Sequence, residues 1–247
     1  MDRTEVSRIA HRRHPIAAPV APDRVRELLS WLDPPPGGRA VDLGCGAGEW
    51  LQELLVAHEQ LSGVGVDLAV PASAESSAAR RGLGQRVHFE QADAAIWRDG
   101  LFDVVLCVGA SHAFGGLDAT LIAMRSHLRS GGQAVFGDGI WETQPSAATQ
   151  EALQAGPDDF PDLAALVERV RGHGFEPSFG HVSALEEWDD YEWSWTGSLI
   201  RWALRDAPTE YDREQALTAA RDHRDDWLGG YRGQLGFCTL VLHDIAS

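Results

Sequence analysis

The sequence predicts an α/β protein: a doubly wound, mostly parallel sheet of seven strands with a helical insertion between the last two. Three observations predict it. Short β-branched and aliphatic runs alternate with amphipathic stretches from residue 40 to 138, the pattern of parallel strands with helices on both faces. The first run, Ala40 to Leu43, ends in glycines at alternate positions, Gly44, Gly46 and Gly48, and an amphipathic helix follows at once. After a sixth run the alternation stops for some fifty residues, 184–233, which read as two helices before a final strand, Gln234 to Asp244.

In chain order, residues 1–21 read as irregular and basic, with His11-Arg12-Arg13-His14-Pro15. Pro22 and Asp23 open a helix, Arg24 to Leu32, whose Val25, Leu28, Leu29 and Leu32 form one apolar face. Asp33-Pro34-Pro35-Pro36-Gly37-Gly38 stops it. Strands are expected at 40–43, 62–67, 86–90, 102–108 and 132–138, and helices at 49–58, near 71–81 and at 117–129. Ser130-Gly131-Gly132 is the turn into the fifth strand. A helix at 161–172 ends at Gly172-His173-Gly174, and Phe175 to Ser183 is the sixth strand. In the last strand Phe237, Thr239, Val241 and His243 alternate with apolar neighbours. The expected division is an N-terminal lid segment and helix (1–33), a core (34–183), a helical cap (184–233) and the final core strand (234–247).

The chain has 247 residues, 44% of them hydrophobic, enough for a sizeable core. Its formal net charge of −16 works against nucleic acid and anionic membranes, since phosphate binding needs clustered Lys and Arg. A small-molecule or basic acceptor stays compatible, and nothing in the sequence sets an oligomeric state. Cys45, Cys107 and Cys238 sit in apolar contexts without a C-x-x-C pair, so they read as buried thiols in a reducing compartment, with no metal site. No apolar run approaches a membrane span, and Ile16 to Val20 is short and broken by Pro19, so a cytoplasmic protein is expected.

Strand, tight glycine turn and helix bring a nucleotide against bare backbone and a helix N-terminus. The spacing discriminates among nucleotides. A dinucleotide fingerprint would place its third glycine at Glu49; here it is Gly48, with Asp42 two places before the first glycine. Carboxylates at Asp42 and Glu49 would repel a pyrophosphate and suit a cation, which argues against an NAD-dependent oxidoreductase. Ser62-Gly63-Val64-Gly65-Val66-Asp67-Leu68 ends in an acid about twenty residues beyond the turn, where an α/β site places its ribose-binding carboxylate. An ionised carboxylate there accepts from two hydroxyls at once.

Asp42-Leu43-Gly44-Cys45-Gly46-Ala47-Gly48 resembles motif I of the class I S-adenosylmethionine-dependent methyltransferases, whose cofactor carries a sulfonium and an ammonium but no phosphate. Gln91-Ala92-Asp93-Ala94 and Phe102-Asp103-Val104-Val105 extend the resemblance, and the chain also resembles an uncharacterised bacterial subgroup with a histidine-rich start. The resemblance implies a Rossmann-like fold and S-adenosylmethionine as cofactor, with S-adenosylhomocysteine as product. It implies methyl transfer to an O, N or C nucleophile of a small molecule; a non-catalytic cofactor-binding regulatory or interaction module is the alternative. The implied cofactor contacts are Asp42, Gly44, Cys45, Gly46 and Gly48 in the turn, with Asp67 and Leu68 at the ribose. Asp93 and Ala94 fall at the adenine, and Cys107, Val108 and Gly109 at the end of the fourth strand.

The loop Gly109 to Gly116 follows that strand at the carboxyl edge, where ligands of such sheets bind. His112 is its general-base candidate, because imidazole titrates near neutral pH. The competing role is to orient substrate or cap the next helix. Ser111-His112-Ala113-Phe114 is not the N-P-P-Y or D-P-P-Y of nucleic-acid amino-methyltransferases, which argues against a base-flipping enzyme. For the acceptor pocket, Trp141 and Glu142 offer a flat wall and a carboxylate. Tyr191 and Trp193, with Glu187, Asp189 and Asp190 nearby, could cage a planar or cationic acceptor. Trp188, Tyr191 and Trp195 form one helical stripe that serves equally well as a packing seam. His14 would reach the acceptor if the N-terminal segment closes as a lid; a disordered basic tail is the competing reading.

Overall fold

The computed structural model describes residues 1–245, without the side chains of Arg3 and Thr4; Ala246 and Ser247, the last positions of the expected final segment, lie outside the described residues. Seven strands form one sheet in the order β3-β2-β1-β4-β5-β7-β6. They are β1 (Arg39–Leu43), β2 (Ser62–Asp67), β3 (Val87–Gln91), β4 (Phe102–Val108), β5 (Leu128–Trp141), β6 (Phe175–Val182) and β7 (Leu235–Asp244). β1 pairs in parallel with β2 and β4, β2 with β3, and β4 with β5. β6 and β7 pair antiparallel, Phe175 opposite Asp244. The chain builds outward from β1 to β3, then returns to lay β4 on the other flank. The order therefore reverses between β1 and β4, and at such a switch point the carboxyl ends of the strands open a crevice.

The central strands are apolar on both faces because helices cover both: Val41, Leu43, Val66, Val104, Val105, Leu106, Val135 and Phe136 are fully buried. The helices are α1 (Arg3–Ala10), α2 (Pro22–Leu29), α3 (Glu49–Ala57), α4 (Ser73–Arg80) and α5 (Leu117–His127). α6 (Ala147–Leu153), α7 (Leu163–Gly172), α8 (Leu185–Arg205) and α9 (Glu210–Asp226) follow, and α9 runs on into a π-helical turn, Trp227–Tyr231. Two helices depart from the sequence expectation. Residues 3–10 are helical rather than irregular, capped by Asp2, whose Oδ1 accepts from the Glu5 N–H at 2.8 Å. α6 falls in a stretch with no expected element and is capped by Ser146, which accepts from the Thr149 N–H. The Ser130–Gly132 turn is a bulge inside β5, where Phe102 pairs with Leu128 but Val104 with Gln133.

The chain divides into two compact units. One joins Met1–Val20, Gly139–Leu163 and Ser183–Gly236 and is mainly helical; the other contains Ala21–Asp138, Ala164–Val182 and the chain from Phe237 on. The helical unit has its own core, in which Ile9 and Ala10 of α1 pack with Leu199, Trp202 and Ala203 of α8 and Ala216 and Ala220 of α9. Among the described residues, no helix is long and apolar enough to cross a membrane.

In the sheet unit His127 is fully buried between Trp97 and Phe102, ring centroids 5.7 and 6.4 Å away, and neither of its ring nitrogens has a partner. Burial, then the nearby Arg98 charge, lowers its pKa. The unfolded chain therefore takes up this proton first, and the stability contributed by neutral His127 is lost as pH falls below its ordinary value of 6.5. Relative to His127→Leu, the wild-type denaturant midpoint is expected to fall between pH 7 and pH 5; equal pH dependence in the two proteins would contradict this role.

Candidate active site

Gly44, Gly46 and Gly48 all take positive φ, +80°, +52° and +73°. The outer two are also held by packing. A Cβ at Gly44 would lie 2.4 Å from the Ala110 Cβ, and one at Gly48 would lie 2.2 Å from the Phe89 ring. A Cβ at Gly46 would meet nothing within 4 Å. The turn is thus closed at both ends and open at its middle, a cradle in which backbone faces free space.

The turn is tied to the end of β2. The Gly44 and Cys45 N–H groups donate to the Val66 carbonyl, and the Gly46 N–H donates to Asp67 Oδ2 at 2.9 Å. Asp67 Oδ1 accepts from the Ala69 N–H at 2.9 Å, so each oxygen keeps a lone pair for a ligand hydroxyl. Leu68 beside it is 66% exposed, an apolar surface next to the acid. The Ala92 N–H donates to the Asp67 carbonyl, which brings the end of β3 alongside. There Asp93 is exposed and accepts from the Ala95 N–H, while Ala94 is buried.

Asp42 lies under the turn, 3% exposed. Burial and the neighbouring Asp67 charge raise its carboxyl to about 7, against a hydrogen bond from the Leu51 backbone. Below that value the folded state holds a proton that the unfolded chain has lost, so Asp42 costs stability progressively from about pH 4 to pH 7. Cys45 and Cys107 are buried, and burial pushes both thiols up, leaving them unreactive. Glu49 departs from expectation: it pairs with Arg81, as Glu53 does at 2.9 Å, and its charge is therefore already balanced within the protein.

At the end of β4, Gly109 (φ +71°) donates to the Gly137 carbonyl at 2.8 Å. Ala110 packs against Gly44, and a short 3₁₀ turn, Ser111–Phe114, carries His112 outward. The turn is pinned behind by Thr120, whose Oγ1 donates to the Gly116 carbonyl at 2.8 Å. The His112 side chain is exposed, and its ring has no hydrogen-bond partner among the described residues.

The remaining expected residues belong to the helical unit. Trp141 is 6% exposed, donates Nε1–H to the Pro157 carbonyl at 3.1 Å and meets Phe160 edge to face. Its indole is a packed wall with its polar atom already used. Glu142 is exposed, with Gly236 directly beside its carboxylate. The Tyr191 hydroxyl meets His11 Nε2 at 2.9 Å, and His14 stands edge-on to the same ring at 5.3 Å with Nδ1 buried and unpartnered. His11 Nδ1 lies 2.9 Å from the Ser7 carbonyl, so Nδ1 carries the proton and Nε2 accepts from Tyr191. Trp193 is 53% exposed and leans edge-on against Trp227. Of the stripe, Trp188 and Tyr191 meet edge to face, while Trp195 turns to stack on His223 at 3.8 Å. Sequence reasoning missed Glu192, His223 and Tyr231, which hydrogen-bond one another within the same unit.

Comparison with known proteins fits this geometry. A methyltransferase-domain family model matches residues 41–134, from β1 through the start of β5. The uncharacterised protein YjhP of Escherichia coli K12 is 31% identical over 209 residues, spanning 82% of this chain and 83% of its own. An S-adenosylmethionine-dependent methyltransferase of Geobacter sulfurreducens, solved with S-adenosylhomocysteine, superimposes with a TM-score of 0.88 at 26% identity, covering 96% of this chain and 97% of that one. The chain is a class I S-adenosylmethionine-dependent methyltransferase. A second such enzyme, from Thiobacillus denitrificans and also solved with S-adenosylhomocysteine, gives a TM-score of 0.86 at 27% identity over 98% of both chains. For this methyltransferase the open middle of the glycine turn, the two strand-end acids and the exposed Leu68 form a donor set that suits a nucleoside with an ammonium-bearing tail.

Proposed function

We propose that this methyltransferase acts on an oxygen, nitrogen or carbon nucleophile of a small molecule in the cytoplasm. The loop beyond β4 carries the proposal: it holds an exposed histidine in Ser111-His112-Ala113-Phe114 rather than a base-flipping tetrapeptide, on a chain of net charge −16. Asp42, Gly44, Cys45, Gly46 and Gly48 would hold the amino-acid tail of S-adenosylmethionine, Asp67 and Leu68 its ribose, and Asp93 and Ala94 its adenine. Cys107, Val108 and Gly109 would close the site at the end of β4. When bound, the cofactor supplies a methyl group that its sulfonium makes electrophilic.

The protein's own task is then alignment and removal of a proton. His112, free of protein partners, hydrogen-bonds the acceptor and holds its nucleophile in line. In the helical unit, His14, Trp141, Glu142, Tyr191 and Trp193 select the acceptor. Trp193→Ala is expected to raise the acceptor KM about tenfold or more, with S-adenosylhomocysteine affinity and melting temperature unchanged, because the ring is half exposed and little packing is lost. A lower melting temperature with an unchanged KM would make it a packing residue. Incubation with methyl-labelled S-adenosylmethionine and fractionated cell extract tests the proposal as a whole. Label should enter the small-molecule fraction; label confined to protein or nucleic acid would overturn it.

Cofactor affinity should depend on pH through Asp42. The ammonium of the cofactor favours the ionised carboxylate, so binding below pH 7 must expel a proton. Affinity for S-adenosylhomocysteine is expected to rise from pH 5.5 to pH 7 and then level, and Asp42→Asn should flatten the profile. A flat wild-type profile would contradict the placement of the ammonium beside Asp42.

A further inference from the structure

The sheet unit has an opening away from the glycine turn. The connections from β1 to β2 and from β2 to β3 carry α3 and α4, and right-handed crossovers lay both on one face of the sheet. The return from β3 to β4, residues 92–101, crosses the opposite face and forms no helix. At the amino ends of these strands lies a cavity of about 300 Å³, the small end of the range for ligand pockets. Arg39 at its rim begins β1, and Leu43, beside Gly44, ends it. That strand length separates the cavity from the turn by about 13 Å.

The rim carries Arg39, Ser62, Gly84, Gln85, Arg86 and His88 and no carboxylate, on a chain with 37 acidic residues against 21 basic ones. Arg86 is held from behind. Its Nη1 donates to the Leu55, His58 and Leu61 carbonyls at 2.8, 3.3 and 3.2 Å, at and beyond the last turn of α3. That contact uses one nitrogen of the fork. Among the described residues Nε and Nη2 have no hydrogen-bond partner, and Arg86 pairs with no acid. Arg39 is fixed as well: its guanidinium lies 4.6 Å over the Phe102 ring, and Nη2 donates to Asp99 at 2.6 Å. Asp99 balances Arg39, and His88 faces Glu90 at 3.2 Å and adds no net positive charge. The uncompensated charge is therefore that of Arg86. Beside it the Ser62 hydroxyl and the Gln85 amide make no hydrogen bond among the described residues and stand ready as neutral donors.

We propose that this cavity binds a small phosphate or diphosphate ester, at a site separate from the cofactor turn. A phosphoryl group presents several acceptor oxygens and the negative charge that Arg86 lacks, and a guanidinium fork meets it through two N–H groups at once. Arg39, Ser62 and Gln85 take the remaining oxygens, and Phe102 forms the floor.

Calorimetric titration of the cofactor-free protein with inorganic pyrophosphate, at low ionic strength, tests it. Saturable binding is expected, with the same affinity when S-adenosylhomocysteine already fills the cofactor turn. Backbone amide NMR signals of Ser62, Gly84 and Gln85 should move, and those of Gly44, Gly46 and Gly48 should not. A Cβ at Gly84 meets nothing within 4 Å, so Gly84→Glu sets a carboxylate at the rim without disturbing the packing. It should weaken pyrophosphate binding about tenfold or more while the melting shift with S-adenosylhomocysteine is retained. Arg39→Gln is the second variant and should act in the same direction. Absence of saturable binding, displacement of pyrophosphate by S-adenosylhomocysteine, or undiminished affinity in folded Gly84→Glu would overturn the site. Malonate binding as tightly as pyrophosphate would overturn its assignment to phosphate.

Discussion

Replacing Asp67 with alanine is expected to remove most of the stabilisation that S-adenosylhomocysteine gives the folded protein. At a hundredfold excess over its dissociation constant, such a ligand adds about 2.7 kcal/mol. For a chain of this size that is a rise in melting temperature on the order of 5–10 °C. Asp67 carries two duties at once, since it accepts the Gly46 N–H that shapes the turn and keeps lone pairs for the ribose hydroxyls. Loss of both should leave a shift of about 1 °C or less. Differential scanning fluorimetry with and without the ligand measures it, and an undiminished shift would mean the ribose is held elsewhere.

The second large effect belongs to His112. His112→Ala should lower turnover about 10²-fold, the scale on which a misplaced nucleophile loses rate, while the melting shift with S-adenosylhomocysteine is retained. His112→Gln keeps a hydrogen-bonding side chain and should lose less, about tenfold. The contrast between the two variants is informative because no hydrogen bond orients the ring among the described residues. Glutamine failing as badly as alanine, with activity partly recovered at high pH, would make His112 the proton-abstracting base rather than a positioning group.

What was legible in the sequence was what backbone geometry imposes locally. The glycine turn could be read because positive φ and close packing at Gly44 and Gly48 leave only one residue type. The strand-end acid Asp67 could be picked out by its distance to that turn, whereas Asp93 was singled out only through the resemblance to the methyltransferase family. The two helices of the 184–233 insertion were also visible, as α8 and α9. Helix α1 was not, because its apolar residues Ile9 and Ala10 find their partners only on α8 and α9, some two hundred residues on. Glu49 looked available to a cation until the fold brought Arg81 of the next helix–strand connection beside it. The Glu192–His223–Tyr231 group joins residues 31 and 39 positions apart, and no local spacing announces it. His127, too, reads as an ordinary helix-end histidine until two aromatic rings enclose it.

Titration calorimetry on the wild-type chain measures directly which nucleotide the glycine turn accepts. S-adenosylhomocysteine should bind at one site per chain and be displaced by S-adenosylmethionine, while NAD under the same conditions should give no saturable heat. Tighter binding of NAD than of S-adenosylhomocysteine, or binding of S-adenosylhomocysteine that survives Asp67→Ala and Gly46→Val together, would contradict it.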